Sequence, residues 1–487
     1  MDKTNLLILY VDQLRKDAIS PYGNKEVLTP ALDLLAKDSM VFTNHFCSFP
    51  VCTPSRYSFL SGLYANEHCC WTNKSTLAAE IPTFPRILAN NGYHTVAVGK
   101  MHLTPTYLDV GFKEMLLSEQ DGDGRFEDDY HLHLMKNDQI DSIDVIDQRL
   151  EYRKNAGDEY FKSFGVEVSN LPQEFHSTTW VTNQALEQLE KWEPTGEALM
   201  VSYIKPHHPF DPSQHFLDLY KDIDVGLLPG YTSEVPSWDL AYNQGYFDNT
   251  QLDEKTAREM TKYYYASISQ IDAGIREIID VLKRKNLYET TQIVFSADHG
   301  DFLGFHHMAL KQNHMYDPLL SIPLMIKYPG KKPGICNALS DNTQIASEII
   351  NSLGFGTGMI GNSEGMFDDK KYVLAMNRQI VQGEEQTSYA VRSDRFKLLA
   401  TGSLENIRLF DLEKDPLELQ DRSQEKEFTS MIEDMKAFLC NSILFTKASK
   451  NRLEPRAKVV TKQHGETARQ KERLILYYKN RVANNWL

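Results

Sequence analysis

The chain lacks any apolar run long enough to cross a membrane, and it is poor in cysteine and in positive charge. A membrane span needs about 20 consecutive apolar residues, and no stretch approaches that, so no membrane partner is expected. The six cysteines (Cys47, Cys52, Cys69, Cys70, Cys336 and Cys440) are too sparse and too irregularly spaced for a zinc cluster or a disulfide framework. Adjacent Cys69 and Cys70 would be strained if paired, and buried free thiols are expected there. With 52 Lys and Arg against 67 Asp and Glu, the net charge of −15 argues against a nucleic-acid partner. A polyanionic ligand would need basic residues gathered in one pocket. The apolar residues ahead of Asp12 are too few for a secretory leader and show no small-residue cleavage site, so a cytoplasmic location is expected. No internal repeat is visible. At 487 residues, 41% hydrophobic and 24% charged, the chain reads as an ordinary globular protein with room for two unequal domains.

Leu6 to Val11 is a continuous apolar run ending at Asp12, the signature of a strand buried on both faces. Similar runs recur at Thr95–Val98, Leu199–Ile204 and Gln292–Ser296, with helical patterns between them at Pro85–Asn91, Thr178–Trp192 and Thr256–Lys285. Strands alternating with helices predict a doubly wound, mainly parallel α/β sheet. Sites in such folds gather at the carboxyl ends of strands. Asp12, Lys100, His207 and Asp298 directly follow the apolar runs, which predicts one shared site. Two segments, Glu119–Gly165 and Pro206–Asp253, have little period and read as insertions or lids. After about Gly361 shorter strand-like pieces appear at Tyr372–Met376, Tyr389–Arg392, Phe396–Ala400 and Arg408–Leu412, followed by a helical stretch near Glu425–Leu439. This predicts a catalytic α/β domain over residues 1–365. A smaller domain over 366–487 would carry an antiparallel sheet, a covering helix and a basic tail (Lys450–Arg481) suited to a surface role or to contact between copies of the chain.

The most informative stretch is Cys52-Thr53-Pro54-Ser55-Arg56. Pro54 suits a first helical turn, so the thiol stands where unpaired N–H groups and the helix dipole favour an anion or a thiolate. Arg56, one turn on, offers a planar fork suited to oxyanions. The Cys-to-Arg spacing is too short for a C-x5-R phosphate loop, which disfavours a cysteinyl-phosphate mechanism. Taken alone, the five residues fit equally well a helix entry with a buried cysteine.

The stretch resembles the C-x-P-S-R signature of type I sulfatases, in the alkaline phosphatase superfamily. The resemblance implies that a formylglycine-generating maturase oxidises Cys52 to formylglycine, whose hydrate is the nucleophile. Four further blocks in the same order support it. Asp12-Gln13 resembles the family's Asp-Asp metal pair, with Gln13 as a neutral ligand or a sulfate contact. Ser296-Ala297-Asp298-His299-Gly300-Asp301-Phe302-Leu303-Gly304 resembles S-D-H-G-E-x-L-G, with Asp301 for the usual Glu. Together these imply a divalent metal on Asp12, Gln13, Asp298 and His299. Calcium is the family's usual ion, and with one carboxylate fewer magnesium or manganese stay open.

Gly99-Lys100-Met101-His102 resembles G-K-W-H, and on an extended segment Lys100 and His102 would face the same way. Lys205-Pro206-His207-His208-Pro209 resembles P-H-x-P and points to His207, not His208, as the acid that protonates the leaving alkoxide; an unperturbed pKa near 6.5 suits that task. Lys311, in Lys311-Gln312-Asn313-His314-Met315-Tyr316, matches the family lysine that offsets charge on the bridging oxygen. Asn73 is a further carry-over for sulfate binding, and His306, His307 and His314 read as rim or structural groups. The stretch Ala390–Leu398 with Leu409-Phe410-Asp411-Leu412 resembles the family's C-terminal subdomain. The implied activity is hydrolysis of a sulfate ester, on a small molecule or glycan fragment. The alternative is a phosphonate monoester hydrolase or phosphodiesterase of the same superfamily.

Overall fold

The computed structural model describes residues 3–120, 128–139, 158–240, 247–311, 314–356, 360–361, 365–381 and 384–445. In the first strand, β1 (Asn5–Val11), every residue is buried. Its side chains alternate between two cores: Leu7, Leu9 and Val11 face one, Leu6, Ile8 and Tyr10 the other. An apolar strand with no polar face must be covered on both sides, and helices do this. Ser177–Glu190 and Glu254–Arg284 contribute Trp180, Val181, Ile275 and Ile278 to the first core. Phe84–Asn90 and Thr343–Ser352 contribute Leu88, Ile345 and Ile349 to the second.

The sheet is completed by β2 (Met40–Phe42), β4 (His94–Gly99), β5 (Glu114–Leu117), β6 (Glu197–Tyr203), β7 (Thr291–Ala297), β8 (Leu324–Lys327) and β9 (Gly334–Cys336), while β3 (His45–Phe46) pairs separately with β10 (Ser340–Asp341). The eight strands run in the order β5-β4-β6-β1-β7-β8-β2-β9. All neighbours from β5 to β7 are parallel, and β8 alone runs against both of its neighbours. The four long apolar runs are β1, β4, β6 and β7. The short strands β2, β5 and β9 went unforeseen, because three or four residues carry too little pattern to separate strand from loop.

The two insertions are not free lids in their described parts. Tyr130, Leu134, Tyr160 and Phe164 from one, and Phe210, Tyr220, Phe247 and Leu252 from the other, are buried in the same core as β1. Aromatics at irregular spacing bury as well as periodic ones but leave no periodic signal. Residues 121–127, 140–157 and 241–246 of these segments, Gln312-Asn313 and the basic tail lie outside the described residues. Cys69 is exposed, correcting the expectation of a buried thiol; Cys70 is buried, and all six cysteines are free.

A second sheet is antiparallel, in the order β11 (Val373–Val381), β12 (Glu384–Arg392), β13 (Phe396–Thr401) and β14 (Ser403–Asp411). The helix Thr429–Leu444 covers it with Ile432, Met435 and Leu439. Its core also takes in Phe49 and Ala65, which flank the helix carrying Cys52, and Met376 N–H donates to Ser48 O at 2.9 Å. A largely buried ionic knot, in which Asp317 alone is partly exposed, adds to this seam. Lys397 on β13 bonds Asp317 at 2.7 Å and Glu418 at 2.5 Å, and the Asp317 N–H donates to Glu418 at 2.8 Å. Removing one partner of such a knot strands the others in low dielectric, at a cost of about 3–5 kcal/mol. Lys397→Met is therefore expected to lower the urea unfolding free energy by about that amount. An unchanged midpoint would show that the knot does not hold the seam.

Candidate active site

The helix Cys52–Ser61 begins at Cys52, and all ten of its residues are buried. Its entry residue Val51 offers no side-chain cap, so the cap comes from elsewhere: Asn73 Oδ1 accepts the Thr53 N–H at 3.1 Å. Asn73 thus commits its carboxamide oxygen to the helix start. Ser55 Oγ donates to Asp298 O at 2.6 Å and accepts from Asn342 Nδ2 at 2.9 Å, which fixes the helix against the end of β7. The turn ends at Gly62 in the left-handed region, φ 68°.

Asp12 and Asp298 extend from β1 and β7, which pair in register through Val11 and Ala297. Two carboxylates are therefore forced side by side with no exposed surface. Arg56 bridges them, with Nη2 on Asp12 at 3.0 Å and Nε on Asp298 at 2.9 Å. Its Nη1 donates to Lys100 O at 2.6 Å and Ser202 Oγ at 2.9 Å, so every edge of the fork is used. Lys100 Nζ reaches Asp12 at 2.7 Å. Burial would raise the Asp12 pKa, but Lys100, His207 and Arg56 overcome it and hold the carboxyl well below its ordinary range. Asp298 goes the other way: burial and then the Asp12 charge raise its pKa.

Gly99, one residue ahead of Lys100, has φ +93°, and a Cβ there would meet Ser202 O at 2.0 Å. Only glycine brings β4 this close to β6. His102 corrects the expected extended segment: its φ is +52°, so strand alternation does not carry it to the site. The turn does. His102 O accepts from Thr53 Oγ1 at 2.8 Å, and the buried imidazole interacts with Cys52.

Around Cys52 Sγ stand His299 Nε2 at 3.2 Å, Lys311 Nζ at 2.9 Å and Asp12 Oδ1 at 3.9 Å. Burial pushes the Cys52 thiol up, while Lys311, Lys100 and His299 outweigh it and hold its pKa well below the ordinary thiol value. His207 also bonds to Cys52, and burial followed by Lys311 and Lys100 pushes its pKa down to about 3. That corrects the expectation of an unperturbed acid: in this charge environment the imidazole is neutral at pH 7.

The donor atoms gathered here fit a metal site. Single donor atoms of Asp12, Cys52, Asp298 and His299 lie within 4.8 Å of one another, all buried. His299 Nδ1 donates to Gly300 O at 2.9 Å, which leaves the Nε2 lone pair facing the cluster. Gln13 is oriented by Asp301, which accepts from its Nε2, so that Oε1 faces Lys311 at 3.0 Å. The Lys311 ammonium sits 3.0 Å from Gln13 Oε1 and 3.2 Å from His299 Nε2. The structure thus brings together Asp12, Gln13, Cys52, Arg56, Lys100, His102, His207, Asp298, His299 and Lys311, with Asn73 behind the helix start. His306 and His314 instead flank Asp239, at 3.2 and 3.3 Å, in a buried network with Tyr316. Sequence reasoning missed Ser202 and Glu119. Glu119 closely follows strand β5, the placement that marked Asp12, but β5 itself was too short to see.

A family model described as Sulfatase matches residues 4–359, and one described as N-sulphoglucosamine sulphohydrolase, C-terminal, matches 305–443. The chain belongs to the sulfatase family. It is 30% identical to the choline-sulfatase of Rhizobium meliloti over 437 residues, 86% of this chain and 82% of that one. Among solved structures it resembles the phosphonate monoester hydrolase of Silicibacter pomeroyi, with a TM-score of 0.74 at 20% identity, covering 95% and 100% of the two chains. BT4656 in complex with its substrate D-glucosamine-2-N,6-O-disulfate superposes with a TM-score of 0.69 at 17% identity, over 92% and 99%. The two structural likenesses extend the agreement in fold across both sheets.

The enzyme hydrolyses sulfate esters, as its family does, and the fork of Arg56 bridges the two buried carboxylates at its centre. Lysine keeps the charge but cannot bond two carboxylates in one plane. Arg56→Lys is expected to lower kcat on 4-nitrophenyl sulfate by about 100-fold, equivalent to about 2.7 kcal/mol. A kcat within threefold of wild type would contradict the bridging role.

Proposed function

We propose that the enzyme hydrolyses the sulfate monoester of a sugar, through a formylglycine made from Cys52 and with a divalent cation, calcium first, on Asp12, Gln13, Asp298 and His299. The observation that carries this reading is the convergence on one buried thiol of Lys311, His299 and His207. Three cationic or protonatable groups around a sulfur fully removed from solvent make a cradle for an anion and for the group that attacks it. Oxidation of Cys52 supplies an aldehyde whose hydrate is the nucleophile, so the thiol sulfur marks where the attacking oxygen stands. A divalent cation held by Asp12, Gln13, Asp298 and His299 would supply Lewis-acid polarisation when bound.

The chain's own residues do the rest. Arg56 keeps Asp12 and Asp298 ionised and in register. Lys100 and Lys311 balance the charge on the sulfuryl oxygens. His207 holds its proton for the leaving oxygen: the same lysines that suppress its protonation are offset once a sulfate ester brings negative charge between them. His102, whose buried imidazole interacts with Cys52, accepts the proton whose loss expels sulfate.

A sugar is favoured by the C-terminal match to the N-sulphoglucosamine sulphohydrolase description and by the disulfated glucosamine named for BT4656. The phosphonate reading has its own support in the Silicibacter likeness and in neutral Gln13. Relative kcat/KM on 4-nitrophenyl sulfate and a phenyl phosphonate monoester separates the two, and sulfate is expected to lead by at least about tenfold; the reverse order overturns the sulfate assignment.

Mass spectrometry of the Cys52 peptide from protein co-expressed with a maturase is expected to show the aldehyde. Cys52→Ala is expected to abolish turnover with Tm unchanged. An intact thiol in fully active protein contradicts the formylglycine route.

A further inference from the structure

Two adjacent residues beyond strand β5 each hydrogen-bond the main chain beside one of the two imidazoles invoked above. Ser118 N–H donates to Gly99 O at 3.2 Å, so the chain past β5 still runs beside the end of β4. There Glu119 and Gln120 are buried, 2% and 0% exposed. Glu119 Oε1 accepts the N–H groups of Met101 and His102, each at 3.0 Å, and Oε2 accepts His102 N–H again at 3.1 Å. His102 is the residue in the left-handed region, φ +52°. A non-glycine residue stays there only when its surroundings over-determine it, and a buried carboxylate on two successive N–H groups does so. Glu119 is itself anchored: its N–H donates to Asp128 at 2.5 Å, and Asp128 holds His131 Nδ1 at 2.7 Å.

Gln120 acts on the second imidazole. Its Nε2 donates to His208 O at 2.5 Å, and the same carbonyl lies 2.6 Å from His207 Nδ1. A carbonyl only accepts, so Nδ1 carries the hydrogen and Nε2 is the nitrogen left for Cys52 and the substrate. The His207 ring also stacks on His208, 4.7 Å between centroids. The carbonyl is thus a shared acceptor, placed by Gln120 and used by His207.

We propose that Glu119 and Gln120 are positioning residues for the sulfatase reaction, Glu119 setting the main-chain turn that presents His102 and Gln120 setting the carbonyl that fixes the tautomer of His207. This rests on the acid and base roles given to His207 and His102. Burial pushes the Glu119 pKa up to about 7 even though His102 and the two N–H groups stabilise its charge. Lys100, Tyr57, Asp128 and His102 are the charged or titratable groups around it. Its hydrogen-bond geometry, common to Glu and Gln at Oε1, is what the turn uses.

The two routes have different kinetic signatures. Losing the aim of the leaving-group acid hurts a poor leaving group most, because a good one departs without help. Losing the aim of His102 affects a step after the leaving group has gone. Gln120→Leu is expected to lower kcat about 100-fold on phenyl sulfate, whose phenol holds its proton near pH 10 like tyrosine. On 4-nitrophenyl sulfate the loss is expected to be about threefold or less, with KM within twofold on both. Glu119→Leu is expected to lower kcat on both esters equally, and Glu119→Gln to recover it to within about tenfold of wild type. Nitrogen-15 NMR of the imidazoles reads the His207 tautomer without turnover: Nδ1–H in wild type, mixed in Gln120→Leu. Equal losses on both esters for Gln120→Leu, or a tautomer unchanged in that variant, overturn the proposal for Gln120. A failure of Glu119→Gln to recover what Glu119→Leu loses overturns it for Glu119. Wild-type protein inactive on both sulfates would instead sink the proposed function, while the NMR result still judges the positioning of His207.

Discussion

Two carboxylates buried side by side are the constraint on which this molecule is organised. Asp12 and Asp298 stand at the ends of adjacent parallel strands with no solvent to share their charge. Isolated charges in such a place cost several kcal/mol each. The chain answers with Arg56, whose planar fork spans both, and with Lys100 on the same Asp12 oxygen that Arg56 bonds. Burial and the neighbouring Asp12 charge raise the pKa of Asp298, whereas Lys100, His207 and Arg56 hold that of Asp12 down.

The remaining architecture follows from placing those groups. Parallel strands buried on both faces bring β1, β4, β6 and β7 to a common edge, and each hands one polar residue to it. Close packing needs Gly99, where any side chain would strike β6. It also needs a helix with no exposed residue, so the Cys52 helix takes its cap from Asn73 and its fastening from Asn342. The second sheet bears on the segment before this helix through Phe49 and the Ser48–Met376 hydrogen bond, and Lys397 locks the seam. The position of Cys52 is thus set by both sheets.

Much of this was legible in the residues. Fully apolar runs ending in Asp12, Lys100 and Asp298 gave strands and site together, since burial on both faces leaves polarity only at strand ends. The C-terminal strands were visible for the same reason of pattern. What stayed hidden depends on contacts between segments distant in sequence. The low pKa of His207 comes from Lys311 and Lys100, which no local reading places beside it. The turn at His102 replaces an extended segment because Glu119, from the neighbouring strand's end, rewards it. Gln13 could be read as a ligand or a contact, and Asp301 settles which way its amide faces. The insertions hid their burial because aromatics without a period look like loop.

Calcium titration of purified protein by calorimetry, wild type against Asp298→Asn, tests the central claim most directly. One cation is expected to bind per wild-type chain and none to the variant. The Tm of Asp298→Asn in the absence of calcium should fall modestly, since the substitution removes the charge that Arg56 Nε bonds at 2.9 Å, and circular dichroism confirms that the variant is folded at the titration temperature. Unchanged calcium affinity in the variant, or no divalent binding by wild type, would contradict the account.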